Sequence, residues 1–403
     1  MREKLKKLLT DSVWSIAGLL LMNVVAQFLV YPIWNSHLGE DRYGTVLYLL
    51  SVMNIVAVSM GISCNYTRMR SSTDGETRNT PYLVVMLAAS ALSVPLVQLL
   101  RLIGLIELPT GESLLYTLLM ALTMWRYYAD VQYRLHLNYR GYFLYYLTIS
   151  AGYGVGILLF ASTGLWPLAL LPGEAAGLLL VLLRGRVLRF DGRQSWAEMS
   201  PTVKLILILL GSEMLSALIF NGDRVLLNLT VSGAAVTAYY LASLLGKTVS
   251  LISTPLNSVV IGHLARYQGR LTLRLMHLVL LAALAATALG TAACTVASHM
   301  LIRLLYPDNY EAVRGMFIIA NLAQVCYFIT NMLTVMLLRF AKPRCQAIVN
   351  GAYTAAFCVI CIPMTLWRGL DGLCLGLLLT SMTRMLTALL LGYQAASAKD
   401  AKE

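Results

Sequence analysis

Charge is what this sequence has least of: only 12% of its 403 residues are Asp, Glu, Lys or Arg, while 58% are hydrophobic. A soluble domain usually carries about 25% charged residues, so this dilution argues against a soluble chain and for a polytopic membrane protein. Metal-ligand and disulfide frameworks are lacking too. The seven cysteines lie mostly in apolar segments. Cys358 and Cys361 form a C-x-x-C with no second pair and no nearby histidine, so they read as small packing residues. The histidines are scattered. Long polar stretches are also absent, the longest break in hydrophobicity being "RGRVLRFDGRQSWAEMSPTVK" at 184–204.

One further absence decides a motif. "LLGKTVS" contains Gly246-Lys247-Thr248, the tail of a phosphate-cradling nucleotide loop. Such a loop needs glycine with four residues between it and the Gly-Lys pair, on a strand-to-helix turn. That position holds Leu241, inside a long apolar run. The nucleotide reading fails on spacing and context.

What is present is a series of apolar segments of at least about 20 residues, the length that spans a bilayer. The expected spans are 12–36, 42–64, 81–106, 113–135, 141–163, 165–184, 203–229, 232–262, 271–297, 310–338, 344–366 and 371–394. This predicts an all-α membrane protein of about twelve transmembrane helices. The first span is too long for a removable signal, and no small-x-small cleavage site follows "QFLVYPIWNSHLG". Basic runs such as "MREKLKK", "RGRVLRFDGR", "RYQGRLTLR" and "RFAKPR" fall on one side. The opposite loops hold only Arg42, Arg101, Arg303, Arg314 and Arg368 among basic residues, with Glu40, Asp41, Glu107, Glu112, Asp308, Glu311 and Asp371. The asymmetry places both termini in the cytoplasm. The net charge of +12 then reads as topology and contact with anionic lipid, not as a nucleic-acid surface.

The break near 184–204 divides the chain into a lobe at 1–190, a cytoplasmic link at 191–203 and a lobe at 204–403. "LGEDRYGTVLYLLS" and "VSGAAVTAYYLASLL" open the two halves similarly, the pattern of an internally duplicated transporter with its site between the halves. Pro95, Pro172, Pro255 and Pro363 are expected kinks, and Gly372-x-x-x-Gly376 suits close helix packing.

The polar residues within spans carry the functional reading. Tyr240, Ser243, Lys247, Ser250 and Thr254 recur at intervals of three and four, forming one stripe about 80° wide. A midplane lysine costs about 2.5–3.5 kcal/mol and normally faces a cavity or a partner. On the seventh span Glu213, Ser216, Asn221, Arg224 and Asn228 share a face, with Asp223 beside it. The fourth carries Arg126, Asp130 and Arg134 at four-residue steps; Arg126 and Asp130 could neutralise each other. Arg384 sits beside Thr380, Thr383 and Thr387; Asn321, Gln324 and Asn331 share a face; Asn23 and Gln27 lie on the first span, and Glu174 follows Pro172. The expected substrate set in a central cavity is Lys247, Arg126, Arg384, Arg224, Tyr240, Ser243, Asn23, Gln27 and Asn321. Lysine and arginine suit phosphate. Glu213, Asp223, Glu174 and Asp130 are the expected ion-coupling acids, for Na+ or H+; no cofactor is called for. The tyrosines around "RYYADVQYRLHLNYRGYFLYY" read as an interfacial aromatic belt.

"LGEDRYGTVLYLLS", "MGISCNYTRM", "NGDRVLL", "TAYYLASLLGKTVSLISTPL", "LRFAKPRCQAIVNGAYTAAF" and "RGLDGLCLG", in this order, resemble the multidrug/oligosaccharidyl-lipid/polysaccharide exporter superfamily, in its polysaccharide-flippase branch. The resemblance implies a V-shaped bundle of two pseudo-symmetric six-helix lobes in a bacterial cytoplasmic membrane. It also implies flipping of an undecaprenyl-pyrophosphate-linked oligosaccharide to the outer leaflet without ATP, for O-antigen, capsule, exopolysaccharide or teichoic-acid pathways. A polymerase and glycosyltransferases are the partners it implies, with membrane lipids and no nucleic acid. The lipid II branch keeps arginines in its first two helices and has two extra helices; here the first span has no arginine, and Arg42 and Arg68 only flank the second. A cation-coupled multidrug antiporter using Glu213 or Asp223 is the alternative. A membrane glycosyltransferase or polymerase is a third, opposed by the short outside loops.

Overall fold

A computed structural model describes residues 2–71, 78–251, 271–340 and 344–400, all helix and short connections with no strand among them. Among the described residues twelve helical rods follow the expected spans: α1 (2–38), α2 (Glu40–Ser71), α3 (Thr80–Leu102), α4 (Thr110–Ala129), α5 (Tyr139–Thr163), α6 (Leu171–Arg184), α7 (Trp196–Thr230), α8 (Gly233–Leu251), α9 (Leu273–Leu305), α10 (Phe317–Phe340), α11 (344–368) and α12 (370–400). Gly369, at φ +59, separates the last two, a backbone conformation that glycine adopts without steric cost. Among the described residues eight helices are long and apolar enough to cross a membrane, the run from α11 into α12 counted as one.

Several boundaries differ from expectation for local reasons. The sixth span begins with a 3-10 turn at Trp166–Ala169, and Pro172 lies in the first turn of α6. It opens the helix there instead of kinking it, because a first-turn N–H has no intrahelical partner to lose. Pro95 sits inside an unbroken α3. Pro363 and Pro32 each follow a π-helical turn by two residues, Phe357–Cys361 and Ala26–Val30. A widened turn accommodates a ring that would otherwise press on the preceding carbonyls. Much of the expected 191–203 link is the start of α7. Ser195 and Glu198 cap that start reciprocally, at 3.4 Å and 3.2 Å, a capping box. Pro255, Thr254 and the end of the 232–262 span lie outside the described residues, as does the side chain of Ser250.

The rods divide into two compact units, Met1–Gly39 with Val46–Val225, and Glu40–Thr45 with Leu226–Glu403. The division runs within α7, whereas the sequence places it at 191–203. In the first unit α1 packs on α5, α5 on α6, and α4 on α2, α3 and α6. Its core is rich in tyrosine: Tyr82, Tyr116, Tyr128, Tyr142, Tyr145, Tyr146 and Tyr153 are all buried. This corrects the interfacial-belt reading for much of the "YYADVQY…YFLYY" stretch. Several of the hydroxyls have inward partners, such as Leu49 O for Tyr116 (2.8 Å) and Arg126 O for Tyr145 (3.1 Å), which is how a buried phenol is satisfied.

In the second unit α10 packs on α8, α9 and the α11–α12 run. A Cβ on Gly376 would stand 2.8 Å from Cys361 Cα, and one on Gly372 1.9 Å from Met364 O, so the Gly-x-x-x-Gly pair does allow close approach. The first turn of α2 belongs to this unit as well. Asp41 Oδ1 accepts the Ala234 amide at the start of α8 (3.1 Å), Thr237 donates to Glu40 O (2.6 Å), and Asn309 donates to Glu40 Oε1 (2.7 Å).

Candidate functional site

The expected residues fall into separate clusters. In the first unit Arg126 of α4 is buried and its Nε lies 2.6 Å from Glu174 Oε2 of α6. Tyr153 of α5 donates to the other carboxylate oxygen at 2.7 Å. The guanidinium stacks 4.1 Å from the Tyr127 ring, and its Nη1 has no hydrogen-bond partner. The acid that neutralises Arg126 is therefore Glu174 and not Asp130. Helix α4 ends at Ala129 with Asp130 as its cap residue, and a short helix resumes at Val131, so the four-residue steps do not run along one rod. Asp130 instead accepts from Asn65 Nδ2 (2.5 Å), Tyr146 (3.0 Å) and Arg134 (3.2 Å).

Other expected residues of this unit lie elsewhere. Asp223 is buried and accepts the Arg224 amide at 2.9 Å; Arg224 is partly buried and acts electrostatically on Tyr31. Glu213 is half-buried near Tyr66. Asn23, on α1, donates to Leu19 O of its own helix (2.9 Å), and Gln27 is half-buried.

In the second unit the Gly246-Lys247 pair acquires a packing explanation. Gly246 faces α10 so closely that a Cβ would meet Gln324 Cβ at 2.7 Å, and its amide donates to Asn321 Oδ1 at 3.0 Å. Asn321 in turn donates to Ser298 of α9 (3.1 Å), and Gln324 to the Tyr239 hydroxyl (3.1 Å). Lys247 is buried, with Nζ 5.8 Å from the Tyr239 ring centre. Ser243 turns its hydroxyl back to Tyr239 O (2.8 Å), and Tyr240 packs edge-on against Tyr43 at 6.2 Å.

Arg384 of α12 forms a second cluster in this unit. It is buried, stacks 4.2 Å from Tyr327 of α10 and 5.7 Å from Tyr353 of α11, and donates to Asn350 Oδ1 at 3.0 Å. Its Nη1 reaches Tyr327 O at 3.4 Å, and Nε has no hydrogen-bond partner. Among the described residues its contacts are all neutral, and cation–π stacking supplies part of what an acid would.

Helix periodicity does not find Asn65, Tyr146, Tyr153, Tyr327, Tyr353 or Asn350, because each meets its partner across helices. Asn65 alone leaves a signal, as a polar break in "MGISCNYTRM".

No protein-family model matches the sequence, and no curated protein matches it. Solved structures do match over nearly the whole chain. "Lipid II flippase MurJ, inward closed conformation" superposes with a TM-score of 0.69 at 14% identity, covering 94% of this chain and 87% of that one. A MATE-family multidrug resistance transporter of the MOP superfamily, inward-facing, gives 0.62 at 15%, covering 96% and 99%. The Vibrio cholerae MATE transporter VcmN in its bent form gives 0.60 at 15%, covering 98% of each chain. The chain shares the fold of these flippase and MATE transporter structures.

Proposed function

We propose that the chain is an alternating-access exporter that moves a polyprenyl-pyrophosphate-linked oligosaccharide from the cytoplasmic to the outer leaflet without hydrolysing ATP. The observation that carries this reading is the charge balance within the helices. Glu174 and Asp130 are each met by an arginine of their own unit, at 2.6 Å and 3.2 Å. Arg384 is held by two tyrosine rings, an amide oxygen and a carbonyl. A cation kept inside a membrane protein with neutral partners only is available to an anion, and a guanidinium suits the oxygens of a pyrophosphate. Lys247, buried in the same unit, adds a second positive centre. The test is translocation of a fluorescent polyprenyl-pyrophosphate sugar in proteoliposomes. Transport by the wild type and its loss in Arg384→Gln support the reading; no translocation with or without ion gradients overturns it.

One observation favours a cation-coupled antiporter instead. Glu213 is half-buried on α7 and has no ion pair among the described residues. Glu213-dependent uptake of small organic cations, with no movement of lipid-linked sugar, selects that reading.

A further inference from the structure

Three connections of the first unit meet at one end, and the one between α6 and α7 is built as a fixed platform. Asn79, before α3, donates from Nδ2 to the carbonyls of Arg186 (3.0 Å) and Arg189 (2.7 Å), which flank a turn closed by the Arg189 amide on Arg186 O at 3.1 Å. Gln132, after α4, accepts the Arg186 and Val187 amides at 2.9 Å and 3.2 Å. Asp191 caps α3, accepting the Asn79 amide and, on Oδ1, the Thr80 amide (3.1 Å) and hydroxyl (2.5 Å). A carboxylate at a helix N-terminus is favoured by the helix dipole. Partial burial disfavours its ionisation, but the hydrogen bonds from Thr80 and the Asn79 and Thr80 amides outweigh this and hold the carboxyl below its ordinary value.

The polar backbone is engaged by Asn79 and Gln132 and Val187 is buried, which leaves the arginines on the outside. Arg184, Arg186, Arg189 and Arg193 are all exposed. So are Phe190 and Trp196, at 66% and 65%. Both acids in the stretch are engaged by backbone amides, Asp191 at α3 and Glu198 at the α7 cap. A hydrogen-bonded loop leading into α7, a helix long and apolar enough to cross a membrane, thus shows guanidinium groups interleaved with bare aromatic rings. Aromatic rings of this kind settle at the headgroup level of a bilayer, and juxtamembrane arginines are attracted to anionic headgroups by about 1 kcal/mol each.

We propose that the α6–α7 connection is a binding platform for anionic phospholipid headgroups, with Arg186, Arg189 and Arg193 on the phosphodiesters and Phe190 and Trp196 seated among the glycerol and upper acyl carbons. Charge complementarity selects the occupant: an acidic protein would use the arginines but would not require exposed rings beside the membrane. Asp191 is a positioning residue that keeps the arginine turn in place.

The test is photo-crosslinking of the full-length protein in nanodiscs containing a trace of photoactivatable phosphatidylglycerol or, separately, phosphatidylcholine, with peptide mapping. Labelling of 184–196 by the phosphatidylglycerol probe is expected to exceed that by the phosphatidylcholine probe. It should fall about fivefold for each arginine replaced in the series Arg186→Gln, Arg189→Gln and Arg193→Gln. Asp191→Asn should also lower labelling, without removing a cation. Labelling of α9, far along the chain, reports that each variant is folded and stays constant. Equal labelling by the two probes, or labelling indifferent to the arginines in folded protein, overturns the proposal. So does capture of an acidic protein at this loop without phosphatidylglycerol labelling.

Discussion

Arg126 Nε and Glu174 Oε2 stand 2.6 Å apart, both almost fully buried, with Tyr153 on the carboxylate's other oxygen. Removing one partner of such a pair strands a charge, whereas removing both leaves a smaller deficit. Glu174→Gln should therefore destabilise the detergent-solubilised protein by about 3–5 kcal/mol. The double variant Arg126→Met, Glu174→Leu should recover most of that loss. Denaturation monitored by tryptophan fluorescence checks both, and equal losses would show that the pair is not the source.

Arg384 keeps its charge through rings and an amide, so its environment is separable from its charge. Arg384→Gln should lower lipid-linked sugar translocation more than tenfold, while Arg384→Lys, which lacks the planar fork, should retain part of it. Tyr327→Phe should be nearly silent. Tyr327→Leu removes a cation–π contact of about 1 kcal/mol and should shift the flux in the direction of Arg384→Gln. Initial rates in proteoliposomes measure the series.

Gly246 and Gly154 make a matched pair of helix glycines with opposite surroundings. An alanine Cβ at 246 would press on Gln324 Cβ at 2.7 Å and on Asn321 Oδ1 at 3.0 Å, while at 154 it would meet nothing within 4 Å. Gly246→Ala should destabilise by about 1–3 kcal/mol through overpacking. Gly154→Ala should stabilise by about 0.4–1 kcal/mol by restricting the unfolded chain. Melting temperatures of the two purified variants should move in opposite directions.

Asp191 gives the α6–α7 platform a pH dependence of definite sign. Its folded carboxyl titrates below its unfolded value, so its contribution is present above about pH 3.9, the ordinary aspartate value. It is lost as pH falls through the lowered folded value. Hydrogen exchange at the Thr80 amide should stay slow from pH 7 to 5. In Asp191→Asn it should be fast throughout that range.

The rods themselves were legible in the sequence, because bilayer-length apolar runs leave little freedom in their placement. Buried position was legible too: Lys247, Arg126, Arg384 and Glu174 are buried on helices, and Asp130 is buried between two of them. Their partners were not. A helix wheel pairs residues three or four apart and offers Asp130 to Arg126; the structure joins Arg126 to Glu174, across two helices. The tyrosines misled for a related reason, since density near a helix end looks the same whether the rings face lipid or a neighbouring carboxylate. In the sequence Gly246 stands out only as part of a Gly-Lys-Thr triplet. The close approach to Gln324, 2.7 Å from a Cβ at 246, is a packing constraint that helix periodicity does not carry.

The widened turns at Ala26–Val30 and Phe357–Cys361 change how positions along α1 and α11 must be numbered against one another. Each holds one residue more than a regular helix would, and one residue is a rotation of about 100°. Side chains on either side of such a turn therefore belong to two wheels out of phase. A cysteine scan along α1 should find its water-accessible stripe jump by one position between residues 26 and 30. An alignment to a relative with a plain helix there needs a one-residue gap in α1 and another in α11.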